Sequence, residues 1–322
     1  MASLHKFTLF VAASTLLLIT AGALVTSTDS GLAVPDWPNT YGYFMFSFPL
    51  SKMAGGVLYE HGHRLIASTV GILMIGLAVW FSRIDDRRWV RYLAWVALGA
   101  VMLQGTLGGI TVLYFLPTPI SVAHAGLAQL VFCLTVALAL FTSPSWRTGT
   151  AAPIDDRILA RLTIGTVALV YAQVLVGATM RHTGAGLAIP DFPLAFGRLV
   201  PPEWSWPVAI HFGHRVGAVL VTLAVVATAG HMLAHHRHRL ELRRLAWLLI
   251  GLVTIQFTLG SLTVLSERQV GINTAHVATG AALLATAVLL ALLVHRHRLT
   301  DVSLSDASVV LPAATPSAGV VR

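Results

Sequence analysis

Four histidines lie in strongly apolar stretches of the chain, where an ionisable side chain is costly and usually has a function. They form two pairs, and in chain order they are His63, His124, His214 and His276. The first members of the pairs are 151 residues apart, and the second members are 152 residues apart. Because an imidazole can bind a metal or carry a proton, this matched spacing predicts two similar sites in one chain.

Each pair can reach a common ligand from two different helices. If membrane spans begin near residues 58 and 120, His63 and His124 lie roughly 6–8 Å below the same membrane surface, at 1.5 Å per residue. His214 and His276 repeat this arrangement in the second half. Two imidazoles at equal depth on different helices match the two axial positions of a haem iron.

Two other interpretations of the pairs remain open. In a zinc site, Glu60 or His211 would supply a third ligand, because each lies three residues before a histidine on the same helix face. Alternatively, each imidazole forms a hydrogen bond with a neighbouring helix.

The two halves differ at one acidic position, where Glu60 corresponds to His211. A carboxylate near a buried haem edge suits proton transfer near neutral pH; the alternative is an ion pair with Arg64, four residues along the same helix face. Arg64 and Arg215 each follow a proposed ligand, and they either extend to the lipid headgroups or bind haem propionates. The asymmetry predicts that the first site performs the chemistry.

Other histidines and several glycines receive simpler interpretations. A group at the cytoplasmic ends of the sixth and eighth spans is interpreted as a solvated basic flank: His231, His235, His236, His238, His295 and His297. His61 points about 200° around the helix from His63, so we expect it to contact a loop. Glycines of the third and seventh spans favour close helix packing, with room for a macrocycle as the alternative. They are Gly105, Gly108, Gly109 and Gly260.

The composition places these residues in a membrane protein. The chain has 322 residues, of which 56% are hydrophobic and 11% are charged, whereas a soluble domain carries about 25% charged residues. Its net charge of +8 comes from basic residues in short loops, which favours membrane orientation over a nucleic-acid-binding face. The single cysteine, Cys133, cannot form an intramolecular disulfide.

Eight apolar stretches are long enough to cross a bilayer. We place them at 7–27, 58–81, 92–114, 120–141, 159–180, 208–233, 245–265 and 270–294. Arginines cluster after every second span, which predicts that both termini are cytoplasmic in the cell membrane. We expect the first span to be a retained helix rather than a signal peptide, and residues 299–322 to form a disordered cytoplasmic tail.

An internal repeat accounts for the matched histidines. Residues 31–38 read GLAVPDWP, and residues 186–193 read GLAIPDFP. Each half contains four predicted spans, so both halves enter the membrane in the same direction. The sequence predicts an all-α polytopic fold of two parallel-repeat four-helix bundles, in domains 1–150 and 151–298. The aromatic loops 28–57 and 181–207 fit an interfacial belt or a lid over each bundle.

The combination of these motifs over residues 7–295 resembles the haem A synthase family. That resemblance implies oxidation of the C8 methyl group of haem O to a formyl group, through a hydroxylated intermediate, with the formyl oxygen taken from water. It assigns Glu60 as the catalytic residue, beside His63, His124 and Arg64 at the substrate haem. It assigns His214, His276 and Arg215 to a haem b cofactor. Some family members carry a cysteine pair in the first outer loop, but residues 28–57 contain no cysteine.

The resemblance also bears on partners and on rival functions. It implies membrane lipid, haem O, haem O synthase (the protohaem farnesyltransferase) and a membrane electron acceptor as partners, with no nucleic acid. Homo-oligomerisation is left open. The main alternative function is that of a non-catalytic bis-histidine di-haem electron-transfer cytochrome. Histidines that all lie near one membrane face do not suit electron transfer across the membrane, however. A transporter of haem or a small metabolite is a third interpretation.

Overall fold

A computed structural model of the chain describes residues 1–148 and 154–296. Within these ranges the protein is helical, and eight helices are long and apolar enough to cross a membrane. In chain order the helices are α1 (Ala2–Ser27), α2 (Gly56–Ile84), α3 (Arg88–Leu113), α4 (Thr118–Thr142), the short α5 (Pro144–Thr148), α6 (Arg157–His182), α7 (Trp206–His235), α8 (Leu240–Leu265) and α9 (Val270–Val294). The predicted all-α polytopic fold is confirmed.

Each predicted span coincides with one long helix to within a few residues. The helices generally extend beyond the apolar stretches, as α8 does by including Arg243 and Arg244. Backbone hydrogen bonding continues where the side chains become polar, because an unpaired peptide group near lipid is costly. The predicted tail, residues 299–322, lies outside the described residues.

The long helices pack in two rings of four. In the first ring, α1 and α3 each contact both α2 and α4; in the second, α6 and α8 each contact both α7 and α9. Further contacts join α1 to α9, and α4 to both α6 and α9. The division of the helices into two parallel-repeat bundles remains a prediction, since α1, α4, α6 and α9 also pack across the two rings. The division into domains 1–150 and 151–298 remains a prediction, because its boundary falls within residues 149–153, outside the described ranges.

The loops before α2 and α7 share one backbone construction. In the first, the Asp36 carboxylate accepts hydrogen bonds of 2.8 Å from the amides of Tyr41 and Gly42. Asp191 does the same in the second loop, where Gly197 corresponds to Gly42. Both glycines have positive φ, 78° and 74°, a conformation that glycine adopts without steric cost. Burial alone would raise the pKa of Asp36, but these amide hydrogen bonds and the Arg64 charge lower it.

Candidate functional site

The four repeated histidines lie on α2, α4, α7 and α9, each within the first third of its helix. All four are only half-buried. His63 is close enough to His124 to interact with it electrostatically, and His214 interacts in the same way with His276. The fold therefore brings together the members of each predicted pair.

A glycine on the preceding long helix faces each of these imidazoles. The contacts are Gly22 with His63, Gly108 with His124, Gly177 with His214, and Gly260 with His276. A Cβ atom at these glycines would lie between 2.9 and 3.2 Å from the histidine Cε1 atom, closer than ordinary van der Waals contact. Each imidazole thus occupies space that only a glycine leaves free.

Sequence inspection identified two of these four glycines and missed the other two. Gly108 and Gly260 pack against imidazoles, whereas Gly109 packs against Trp37. Gly22 and Gly177 were not predicted. Their signal is the repeat itself, because they are 155 residues apart, the same offset that relates the GLAxPD segments.

Three imidazole nitrogens in these sites have no hydrogen-bond partner within the described part of the chain. They are the buried Nδ1 atoms of His63, His124 and His276. Buried polar atoms are normally paired, so hydrogen bonds between helices do not account for these three Nδ1 atoms. Imidazoles with free nitrogens, cradled by glycines, fit the axial ligation of a haem.

Glutamines that sequence inspection did not assign lie beside the histidines. Gln104 Nε2 donates to the His124 carbonyl oxygen at 3.0 Å, and Gln256 Nε2 lies 3.3 Å from His276 Nε2. Both glutamines stand in matched segments of the repeat, QGTLGGITV and QFTLGSLTV, so the repeat could have identified them.

His214 has a partner that His63 lacks. Gln173 Nε2 lies 3.0 Å from His214 Nδ1 and donates to the His214 carbonyl oxygen at 2.7 Å. Gln173 lies four residues before Gly177, and the residue four before Gly22 is Leu18. The second site therefore holds its first histidine in place through a side chain that is absent from the first site.

Glu60 forms the ion pair that was one of its two predicted roles. Its Oε1 lies 2.5 Å from Arg64 Nη2, and its Oε2 accepts a 2.7 Å hydrogen bond from the Val34 amide. Both residues are buried, with 3% and 8% exposure. Arg64 also donates to the carbonyl oxygens of Val34, Asp36 and Asn39. Glu60 and Arg64 together anchor the first loop to α2.

His211 takes the place of Glu60 in the second half. The Ile189 amide donates to its Nδ1 at 3.2 Å, and Arg215 Nε lies 3.3 Å from its Nε2. Arg215 also donates to the carbonyl oxygens of Ile189, Asp191 and Leu194. The second loop is therefore anchored in the same way, but without a carboxylate.

His61 contacts the loop as predicted, through a 3.0 Å hydrogen bond between its Nδ1 and Thr40 Oγ1.

The zinc interpretation of the histidine pairs is not supported. Within the described residues, the side chains that converge as three metal ligands are Asp156, His231 and His236, and Glu60 is already engaged by Arg64.

The interpretation of the histidine flank is wrong for two of its members. His231 Nε2 and His236 Nε2 lie 2.7 and 2.8 Å from Asp156 Oδ2, and their side chains are only 13% and 16% exposed. The sequence did not reveal the pairing, because Asp156 lies 75 residues before His231. By contrast, His235 and His238 are exposed, as expected.

Comparison with known proteins identifies the family. The family model described as "Cytochrome oxidase assembly protein" matches residues 5–288. A haem A synthase from Geobacillus kaustophilus is 30% identical over 312 residues, which cover 95% of this chain and 96% of that protein. One from Symbiobacterium thermophilum is 32% identical over 276 residues, covering 81% and 86% respectively. Since the family model spans most of the sequence, the chain belongs to the cytochrome oxidase assembly protein family.

Proposed function

We propose that the chain is a haem A synthase, which oxidises the C8 methyl group of haem O to a formyl group to make haem A. The observation that carries the proposal is the pair of matched histidine sites, each imidazole packed against a glycine. The relatives named as haem A synthases extend over nearly the same length of chain. Eight membrane-spanning helices suit a lipid-soluble substrate such as haem O.

The two sites would hold two haems with different roles, one as substrate and one as cofactor. His63 and His124 would hold the substrate, haem O, and His214 and His276 would hold a haem b cofactor. The hydrogen bond from Gln173 to the His214 carbonyl oxygen supports this assignment, because a side chain that fixes the backbone of a ligating residue helps to hold its imidazole in place. When bound, haem b supplies one-electron transfer between the substrate site and an electron acceptor in the membrane.

Glu60 is the proposed proton acceptor at the substrate site. Oxidation of a methyl group with oxygen from water releases protons as well as electrons, so a base is needed nearby. Glu60 lies three residues before His63, hence on the same face of α2. Arg64 and the Val34 amide each bind one oxygen of the Glu60 carboxylate and hold it in a fixed position near the start of α2. Arg64 and Arg215 hold the loops above the two sites, and any contact with haem propionates would be additional to that role.

The setting of the enzyme follows from the family and the eight spans. We place it in the cell membrane with both termini in the cytoplasm, because arginines follow every second span. Its expected partners are membrane lipid, the haem O synthase that supplies the substrate, and a membrane electron acceptor.

Co-expression with a haem O synthase tests the proposal. Haems extracted from the membranes should include haem A or hydroxylated haem O. If haem b is bound but neither product appears, the chain is instead the di-haem electron-transfer cytochrome. That alternative is favoured by the common construction of the two sites, which share the glycine contacts and the arginine anchors.

A further inference from the structure

A second cluster of ligand side chains lies at the opposite end of α7 from His214. His231 follows His214 by 17 residues on the same helix, which is about 26 Å at 1.5 Å per residue. The cluster consists of Asp156, His231 and His236, whose donor atoms lie within 4.8 Å of one another. It is therefore separate from both histidine pairs.

We propose that Asp156, His231 and His236 form a binding site for one divalent transition-metal ion of the zinc or copper class. Two imidazoles and one carboxylate are the ligands that such borderline ions prefer. Three protein ligands leave a further coordination position for water or an exogenous ligand. Side-chain exposures of 13–16% leave the three donors within reach of solvent, so an ion can enter.

The carboxylate is already oriented for this role. Asp156 is the N-cap of α6, and its Oδ1 accepts a 2.8 Å hydrogen bond from the Leu159 amide. This bond leaves Oδ2 directed at both imidazoles. A ligand fixed through its second oxygen is the usual arrangement in metal sites.

The end of α7 positions the two imidazoles. His236 is the C-cap residue that directly follows α7, and its amide donates to the Met232 carbonyl oxygen at 2.8 Å. His231 is five residues earlier, within the last turns of α7, and the His235 ring stacks on it at 4.3 Å between centroids. A bound ion would link the start of α6 to the end of α7. Without an ion, the same atoms form the observed hydrogen bonds between the imidazoles and Asp156.

Zinc titration of the haem-loaded, untagged full-length protein in detergent tests the site. Isothermal calorimetry of the wild type should reveal a Zn²⁺ site that Asp156→Asn weakens by about tenfold or more. This variant keeps an oxygen that can accept the Leu159 hydrogen bond. His236→Gln should weaken the same site, and His238→Gln is the matched control, since His238 is exposed and outside the cluster.

Metal content after desalting provides the second measurement. The wild type and His238→Gln should retain one more zinc ion per chain than Asp156→Asn and His236→Gln. Circular dichroism and haem b content identify any variant that has failed to fold. If one cluster variant fails to fold, the zinc content of the other tests the proposal. Equal zinc binding by the wild type and both cluster variants would overturn the proposal and leave the cluster as a hydrogen-bonded cap of α6.

Discussion

The contact between a glycine and an imidazole is the feature most directly open to test at the scale of single residues. A Cβ on Gly177 would lie 2.9 Å from His214 Cε1, so Gly177→Ala must displace the ring. We expect the purified variant to bind less haem b and to show a shifted haem absorption spectrum. Gly165→Ala is the matched control on the same helix, because a Cβ there meets nothing within 4 Å. An unchanged spectrum in Gly177→Ala would mean that the ring position does not govern haem binding.

Glu60 combines a structural contact with a proposed chemical role, and two substitutions separate them. Glu60→Gln keeps an oxygen that can accept the Val34 amide hydrogen bond but removes the charge. We expect it to abolish conversion of haem O, measured by chromatography of extracted haems, while haem b content stays normal. Glu60→Ala should in addition free the first loop, which increases its susceptibility to protease. Conversion by Glu60→Gln at the wild-type rate would exclude a proton-accepting role.

At the scale of helices, a buried carboxylate joins the ends of three elements. Asp85 follows α2, and its side chain is fully buried. It lies 2.7 Å from Arg87, at the start of α3, and 3.3 Å from Arg147 of α5. Arg87 also donates to the Phe141 carbonyl oxygen of α4 at 2.9 Å. This junction fixes the ends of the first-ring helices opposite to the histidines.

We therefore expect Asp85→Asn to destabilise the protein. Removing the charge leaves two guanidinium groups uncompensated, and since both are partly exposed the cost should be about 2–3 kcal/mol. Thermal or denaturant unfolding in detergent measures this change in the free energy of unfolding. Asp86→Asn is the control, because Asp86 is the exposed neighbouring residue. Equal stability of the two variants would show that the junction contributes nothing.

The same junction predicts a pH dependence. Burial opposes ionisation of Asp85, but hydrogen bonds and charges from Arg87 and Arg147 lower its pKa below the usual value. A carboxyl group whose pKa is lowered by folding stabilises the protein above its unfolded-state pKa, about 3.9. That stabilisation is lost as the pH falls through the folded-state pKa. The stability difference between wild type and Asp85→Asn should be constant near neutral pH and shrink below about pH 4; a constant difference in acid would contradict this assignment.

At the scale of the whole molecule, the two rings are joined near the end of α1. Ser27 Oγ receives hydrogen bonds from Arg181 of α6 at 3.4 Å, and from Asn273 and Thr274 of α9 at 3.1 Å each. Thr118 of α4 also donates to the His182 carbonyl oxygen. Side chains from both rings thus meet beside the histidine sites, while each histidine pair belongs to one ring only.

This arrangement predicts that the two haem sites can be lost separately. We expect His214→Ala to lose haem b and His63→Ala to retain it, because the ligands of each site lie on helices of a single ring. The pyridine haemochrome content per purified chain measures both variants. Loss of haem b in His63→Ala, with retention in His214→Ala, would reverse the proposed assignment of the two halves.

Much of the fold and of the candidate site could be predicted from the sequence, for physical reasons that differ between features. Apolar stretches of span length become membrane helices because their peptide groups have no other partners in lipid. The histidine pairs and the loop motif were visible because the repeat displays them twice. Gln173 could not be identified from the repeat, because the corresponding residue in the first half is Leu18.

The sequence by itself determined the eight spans, the four repeated histidines and the asymmetry between Glu60 and His211. Those features depend on local composition and on matches along the chain. Only the tertiary structure decided that Glu60 pairs with Arg64, that glycines face the imidazoles, and that Asp156 meets His231 and His236. The glycine contacts and the Asp156 cluster depend on the angle and separation of packed helices, which residues far apart in the sequence determine together. The Glu60–Arg64 pair lies within α2, and the structure decided between its two predicted roles by placing the Val34 segment of the loop against both side chains.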